Sequence, residues 1–335
     1  MRNKTRIRLL ILLLAGLHAV VLFAGFCAPY DAKEQDRNLP YAPPTRLHFT
    51  GASGFHLRPF AYRAEADADG YLEDRSREYP LHFFVRGTSY SVLGIFQSDR
   101  HLFGIDSPAR IMLLGGDAFG RDEFSRLLVG GQISLAAGLL ATLLTLAAAA
   151  VIGTVSGVYG GWIDESLMGA SELFLALPWL YFLLGVRAFL PLHVSPVGTF
   201  LLLIGVIGLI GWARPARLVR GVVLSARTRN YVSAARGFGG SDLYILTRHI
   251  FPGTFGVLLT QAALLIPLYV AAEATLSFFG LGISEPVPSW GNMLAALQHY
   301  SVLVSYSWLL APAGALVVTS VIYGMLADAL HPHRS

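Results

Sequence analysis

Acidic and arginine side chains alternate in a short segment, residues 117–126, directly before a long apolar run. Carboxylates and guanidinium groups at this spacing can form ion pairs with one another. We expect the charged groups to face water while the apolar residues at 127–129 face lipid or protein. The segment is therefore interpreted as an amphipathic lead-in on a membrane. Its candidate residues are Asp117, Gly120, Arg121, Asp122, Ser125 and Arg126.

Patterns that carry catalysis or bind metals are missing from the sequence. It has no GxxxxGK[ST] phosphate loop, so we expect this chain not to hydrolyse ATP itself. The HExxH, CxxC and GxSxG patterns are also absent. Asp67 and Asp69 lack the glycine and the distal glutamate of a calcium loop. The histidines are scattered, and no metal site is predicted.

A second polar segment, residues 231–252, lies between two apolar runs. Small residues at 233–235 give a flat helix surface, and Gly239 with its glycine neighbours ends that helix. Asp242 is expected to cap a second helix. The pattern is that of a protein-docking site or, alternatively, of an ordinary helix connection. The candidate docking residues are Tyr231, Ser233, Ala234, Ala235, Gly239, Asp242, Arg248, His249 and Pro252.

The composition is that of a membrane protein. Of the 335 residues 54% are hydrophobic and 14% are charged, whereas soluble domains carry about 25% charged residues. A helix needs about 20 apolar residues to cross a bilayer. The sequence therefore predicts an all-α polytopic membrane protein with six transmembrane helices. The apolar runs are 9–28, 133–158, 167–190, 197–212, 255–272 and 302–326.

The charge distribution predicts the orientation in the membrane. Residues 213–251 contain seven arginines and one acid, whereas residues 29–128 contain twelve basic and fourteen acidic residues. Basic segments remain cytoplasmic, so both termini and the 213–251 loop are expected inside and residues 29–128 outside. The acidic turn at 159–166 does not follow the rule locally. This asymmetry accounts for the net charge of +4, and no nucleic-acid partner is predicted.

Three parts are expected along the chain. Residues 1–28 form an uncleaved signal-anchor helix, residues 29–128 an extracytoplasmic segment, and residues 129–335 a five-helix core with a cytoplasmic loop at 213–252. Alternating apolar runs between Gly, Pro and Ser residues predict strands in the outer segment. The charge-rich stretch at 65–78 is expected to be an exposed loop.

Glycines spaced four apart end the second apolar run. Gly153, Gly157 and Gly161 line one face of a helix and predict close packing within this chain or against a partner. The alternative is the general tolerance of membrane helices for glycine. Glu172 is an acid inside an apolar run. It could reach the inner interface or pair with an arginine of the 213–251 loop, and we expect such structural pairing rather than contact with a substrate.

Three separated segments resemble motifs of binding-protein-dependent ABC-transporter permeases. Ser-Ala-Ala at 233–235, Gly239 and Arg-His-Ile-Phe-Pro at 248–252 resemble the "EAA" loop of the dipeptide/oligopeptide branch. Residues 115–135 are similar to GTDxxGRDxxSRxxxGxxxSL, with Gly116 where threonine is usual. Residues 277–294 are similar to SFLGLGxxPPxPSWGxML, in which Trp290 is expected at the membrane interface.

The resemblance implies a permease of the type I importer fold in a bacterial inner membrane, with a β-containing insert after the first helix. It implies that residues 233–239 form a coupling helix on a separate ATPase subunit. Ser233 stands where the family often has glutamate. The implied partners are a homologous second permease, two ABC ATPases, an extracytoplasmic solute-binding protein and membrane lipid. ATP and magnesium would bind to the ATPases, and no cofactor is expected on this chain.

The implied function is to form half of a translocation pathway for peptides or similar small solutes. Dipeptides, oligopeptides, nickel complexes and glutathione remain open as the solute. A membrane receptor or sensor with an outer ligand-binding segment is the alternative. A membrane-embedded hydrolase would need a nucleophile with its base, or metal ligands, at membrane depth, and the sequence contains no such pattern.

Overall fold

Helices dominate the computed structural model, which describes residues 2–51, 54–67, 70–92, 94–178, 181–182, 185 and 195–330. The helices before residues 230–252, here called the docking segment, are α1 (Arg2–Leu22), α2 (Ala24–Cys27), α3 (Glu123–Tyr159), α4 (Gly161–Ala176), α5 (Pro196–Ile210) and α6 (Ala213–Arg227). They are followed by α7 (Asn230–Gly237), α8 (Asp242–Ile245), α9 (Phe255–Phe278), α10 (Trp290–Leu294), α11 (Tyr300–Ser305) and α12 (Ala311–Leu330).

Short turns of other helical types connect several of these helices. A π-helical turn at Leu246–Ile250 and a 3-10 turn at Phe251–Thr254 join α8 to α9. Two further 3-10 turns, Ala295–Gln298 and Ser307–Leu310, flank α11. The stretch from α8 through α9 is therefore helical throughout, although its hydrogen-bond pattern changes three times, from α to π, from π to 3-10 and back to α.

Several helices are long and apolar enough to cross a membrane. Among the described residues these are Lys4–Leu22, Glu123–Tyr159, Asp242–Phe278 and Ser307–Leu330. A fifth span is added if α5 and α6, which are bent by 44° at their junction, form one broken span. The predicted third run begins in α4 and continues into residues outside the described ones. The helical membrane class is confirmed, while the number six stays a prediction.

Among the residues that the structure describes, five strands lie between α2 and α3. Strands β1 (His48–Gly51), β2 (Gly54–Asp67) and β3 (Gly70–Pro80) form one antiparallel sheet, and β4 (His82–Val92) and β5 (Phe96–Gly104) form a second. The predicted loop at 65–78 was wrong, because this stretch pairs as the outer part of the β2–β3 hairpin. Many of its side chains are exposed or half-buried, so it lacks the apolar alternation that marks a strand with one buried face.

The chain forms two compact units, each with its own core. The first contains Met1–Leu12, Ala136–Leu276 and Thr319–Ser335. In it, α6 packs through buried Ala216, Val219 and Val223. The second contains Leu13–Leu135 and Ser277–Val318, and its core includes the fully buried Ile111 and Phe60.

Candidate functional site

Helix α7 is held through one face and exposed on the other. Val232 is 1% exposed and packs with Val219 and Val223 of α6 in one apolar cluster. The opposite face carries Ser233 and Ala234, which are both exposed. Two of the three small residues expected on the helix surface therefore point away from the chain, whereas Ala235 is half-buried and packs against the same cluster.

The break after α7 depends on Gly239. Its backbone φ is +80°, in the left-handed region. The Gly239 N–H donates to the Arg236 carbonyl and the Gly240 N–H donates to the Ala235 carbonyl, both at 3.0 Å. These two bonds form a Schellman motif, which closes a helix and needs a left-handed residue at this position. The predicted glycine break is confirmed.

Helix α8 is capped by Ser241 rather than by Asp242. The Ser241 hydroxyl accepts a hydrogen bond from the Tyr244 N–H at 3.3 Å. The expected cap at Asp242 was wrong because this residue already has helical backbone as the first residue of α8. Its carboxylate instead accepts a 3.2 Å hydrogen bond from Arg236, across the glycine break.

The two ends of the docking segment meet through aromatic rings. The His249 ring lies 6.2 Å from the Tyr231 ring and 5.6 Å from the Tyr244 ring, measured between centroids. Pro252 occupies the first turn of the 3-10 segment that leads into α9, where a missing N–H is tolerated. Arg248 is exposed and has no hydrogen-bond or ion-pair partner within the described part of the chain.

Two of the three predicted packing glycines bring α3 and α6 together. A side-chain carbon on Gly153 would overlap the Ala216 carbonyl oxygen, and one on Gly157 would lie 2.7 Å from Val223. Close packing within this chain is confirmed for both. At Gly161 an added carbon would meet no atom within 4 Å, because α3 ends at Tyr159 and Gly161 lies beyond the shared helix face. Packing of Gly161 against a partner stays a prediction.

Ion pairs fix α4 to the arginine face of α6. Arg220 donates to both carboxylate oxygens of Asp164, at 2.5 and 2.6 Å, and Ser156 donates to the same carboxylate. The hydrogen bonds from Arg220 lower the pKa of Asp164. The expected pairing of Glu172 is confirmed, since Arg217 donates to it at 3.3 Å. Its carboxylate is nevertheless exposed rather than buried in a span.

In the second unit, two arginines of the lead-in segment bind one carboxylate. Arg121 donates to the two oxygens of Glu285 at 2.6 and 3.3 Å, and Arg126 donates to one of them at 2.8 Å. Arg121 also donates to Asp117 at 2.6 Å. Two cations and two anions therefore form a compact cluster, here called the outer ion-pair cluster, which joins residues 117–126 to the 281–290 loop.

The lead-in segment is buried, which corrects the expectation that its charges face water. Asp117 and Arg121 are only 9% and 5% exposed. Asp122 is fully buried and accepts from the Ser125 N–H and hydroxyl at 2.8 and 2.5 Å. Burial raises the pKa of Asp122 to about 6. Gly120 has a φ of +65°, and an added side-chain carbon there would overlap the Asp36 carbonyl.

Trp290 is buried in a core and does not reach the protein surface. It is 1% exposed, and its indole N–H donates to the Leu127 carbonyl at 3.0 Å. Its backbone N–H donates to the Ser134 hydroxyl at 3.1 Å. The expectation of an interface anchor was wrong because the start of α3 covers the ring, where an added carbon on Gly131 would lie 3.1 Å from it.

Comparison with known proteins decides between a transporter subunit and a receptor. The model of the family described as binding-protein-dependent transport system inner membrane component matches residues 149–335. The chain belongs to this family. It is therefore a permease component of a binding-protein-dependent ABC importer, and the receptor alternative is not supported.

This permease is similar to curated relatives over most of its length. It is 33% identical to the oligopeptide transport system permease protein OppC of Bacillus subtilis, over 72% of this chain and 75% of that protein. It is 37% identical to OppC of Escherichia coli K12, over 64% and 69%. Among solved structures it is similar to the inward-facing MetNI methionine ABC transporter, with a TM-score of 0.47 and 17% identity over 60% of this chain and 93% of that one.

Sequence reasoning missed several charged residues of this permease. Glu285 and Asp164 were not identified as partners of arginines, and Glu273, which is fully buried in α9, was not noticed. Among the described residues, no three His, Cys, Asp or Glu side chains are close enough to hold a metal ion. A signal that points to Glu285 is its place inside the motif at 277–294, where it is the acidic residue.

Proposed function

We propose that this permease forms half of the translocation pathway of an ATP-driven importer for peptides or similar small solutes in a bacterial inner membrane. The printed names of its relatives, which are oligopeptide transport permeases, support the peptide class. The observation that carries the proposal is the exposed surface of the docking segment, residues 230–252. The chain builds this surface and anchors it on α6, but leaves it uncovered.

Large apolar side chains on this surface define a docking face. They are Tyr231, Phe238, Leu243 and Tyr244, with exposed fractions of 48, 92, 71 and 53%. Exposed aromatic and apolar side chains that lie close together are typical of protein interfaces. Arg236 and Arg248 flank them and are exposed. A groove with an apolar floor and an acidic rim on a separate ATPase subunit would complement this face.

The contacts behind the docking face provide a route for motion. Ile245 and Val232 pack against α6, Gly153 and Gly157 press α3 against α6, and Arg220 ties α6 to Asp164 of α4. When two ATPases close on ATP and magnesium, displacement of the docking face would reach three helices together. Such a rigid-body movement would alternate access between the two sides of the membrane.

On the outer side, a solute-binding protein would deliver its cargo to residues 29–128 and 277–300. The outer ion-pair cluster holds parts of both segments together through Glu285. A homologous second permease would complete the pathway, and both termini of this chain would be cytoplasmic. In this arrangement the binding protein selects among dipeptides, oligopeptides, nickel complexes and glutathione.

Site-specific photocrosslinking in native membranes tests the docking face. A photoreactive amino acid at Phe238, which is 92% exposed, should crosslink to an ATPase subunit. The matched control is Phe96 of β5, which is 71% exposed and is placed outside by the proposed orientation. An ATPase crosslink from Phe96, or none from Phe238 in membranes that contain the assembled transporter, would contradict the proposal.

A further inference from the structure

A cleft of about 370 Å³ opens beside the junction of α5 and α6, entirely within the first unit. This volume lies near the lower end of the roughly 300–1,000 Å³ of small-molecule sites. Residues from α4, α5, α6 and α9 line it, together with Leu177 and Gly211 next to these helices. Leu175, Leu177 and Leu268 on its walls are 44, 44 and 45% exposed, so the cleft is open to its surroundings.

Arg214 is the charged residue among those that line the cleft. The other arginines of α6 are engaged, since Arg217 binds Glu172, Arg220 binds Asp164, and Arg227 donates to a carbonyl at 2.7 Å. Arg214 is exposed and has no hydrogen-bond or ion-pair partner among the described residues. A guanidinium that the described residues leave unpaired at the edge of an apolar cleft is suited to an anion that carries an apolar chain.

Apart from Arg214, the side chains that line the cleft include one polar group, the Tyr269 hydroxyl. The Tyr269 hydroxyl is already bonded to Thr145 at 3.0 Å, and the Thr145 hydroxyl donates to the Gly208 carbonyl at 2.8 Å. A peptide carries an N–H and a C=O at nearly every residue, and burying these groups without partners is unfavourable. An acyl chain needs no such partners. The cleft therefore fits a lipid tail better than a peptide backbone.

The position of the cleft agrees with a lipid ligand. Helix α5 is apolar from Val197 to Ile210, and the arginines begin with Arg214. On the proposed orientation, on which this inference rests, the junction lies where hydrocarbon meets the cytoplasmic headgroups. We propose that the cleft binds an anionic phospholipid of the inner leaflet, with its phosphate on Arg214 and one acyl chain between Leu175, Leu268 and Ile210.

Native mass spectrometry of the full chain in detergent tests this assignment, with phosphatidylglycerol and phosphatidylcholine of identical acyl chains as probes. One arginine near a membrane surface favours an anionic lipid by about five-fold. We expect the wild type to prefer phosphatidylglycerol by about this factor and Arg214→Gln to lose the preference. Arg229→Gln, which removes the same charge from another exposed arginine of the loop, should retain it.

A second variant keeps every charge and fills the cleft. Leu268→Trp should lower the occupancy of phosphatidylglycerol. If Arg214→Gln does not fold, this variant alone tests whether the lipid occupies the cleft. Equal losses in Arg214→Gln and Arg229→Gln, or unchanged binding in Leu268→Trp, would overturn the proposal. Displacement of bound phosphatidylglycerol by an apolar tripeptide would identify the cleft as a solute site instead. Because lipid binding needs no ATPase, the test does not depend on transport.

Discussion

Replacing Gly239 by alanine isolates the backbone requirement of the docking segment. Gly239 has a φ of +80°, and an added side-chain carbon there would meet no atom within 4 Å. The substitution therefore introduces no clash, and its effect comes from holding an L-residue in the left-handed region. This costs about 1–2 kcal/mol for a residue with a side chain. The strain destabilises the turn that holds the two hydrogen bonds at the end of α7.

Gly237 provides the matched control. It lies in the last turn of α7, and an added carbon there also meets no atom within 4 Å, but its φ is not in the left-handed region. Alanine stabilises a helix by roughly 0.5–1 kcal/mol relative to glycine. The two substitutions are identical and lie two positions apart, and they are predicted to have opposite signs.

Hydrogen exchange of the full chain, followed by mass spectrometry of peptides from residues 230–245, measures both effects. If α7 opens locally before exchange, a loss of 1–2 kcal/mol speeds exchange about 5- to 30-fold. Gly239→Ala should show this acceleration, and Gly237→Ala should exchange more slowly than the wild type. Exchange in Gly239→Ala at the wild-type rate, or acceleration in both variants, would refute the role assigned to the turn.

Three further predictions concern stability, measured by thermal unfolding of the purified chain. Glu285→Gln should destabilise the folded chain by about 1–3 kcal/mol, because it removes the carboxylate that accepts from two buried arginines. Glu65→Gln, on an exposed part of β2, should change the stability little. Equal losses of stability in the two variants would be inconsistent with the outer ion-pair cluster. Gly153→Val should lower the stability by about 1–3 kcal/mol through overpacking between α3 and α6. Gly221→Val, where an added carbon meets no atom within 4 Å, should lower it less. A larger loss in Gly221→Val would contradict the close contact of α3 with α6 at Gly153. Burial raises the pKa of Asp122 from 3.8 to about 6, so the stability that its protonated form contributes is complete below pH 3.8 and is lost as the pH rises through about 6. Asp122→Asn should remove roughly 3 kcal/mol of this pH dependence. Curves of stability against pH that run parallel for the wild type and Asp122→Asn would contradict the raised pKa.

The docking segment was predictable because its shape depends on neighbouring residues. A left-handed turn after α7 requires a glycine close in sequence, and the small residues at 233–235 follow one another. The cap was placed one residue late because Ser241 and Asp242 are both good capping residues. Sequence alone does not decide which of two adjacent residues keeps the extended backbone of a cap.

The ion pairs could not be predicted because their partners are far apart in sequence. Asp164 and Arg220 are separated by 56 residues, and Arg126 and Glu285 by 159. No periodicity links such residues, and only the packing of helices brings them together. The same limit explains why the lead-in segment was expected to face water, since its cover comes from distant loops, including the one that carries Glu285. Gly161 does not share the helix face of Gly153 and Gly157, because α3 ends at Tyr159, and this end could not be read from an uninterrupted glycine spacing.

Purification of the tagged chain from its native membranes, followed by reconstitution, tests the central claim most directly. The account predicts that two ABC ATPase subunits and a second permease co-purify with it. Vesicles containing this assembly should take up a peptide when ATP and a solute-binding protein are supplied, and Gly239→Pro should abolish uptake. A chain that purifies alone, under conditions that preserve other membrane complexes, would contradict the account.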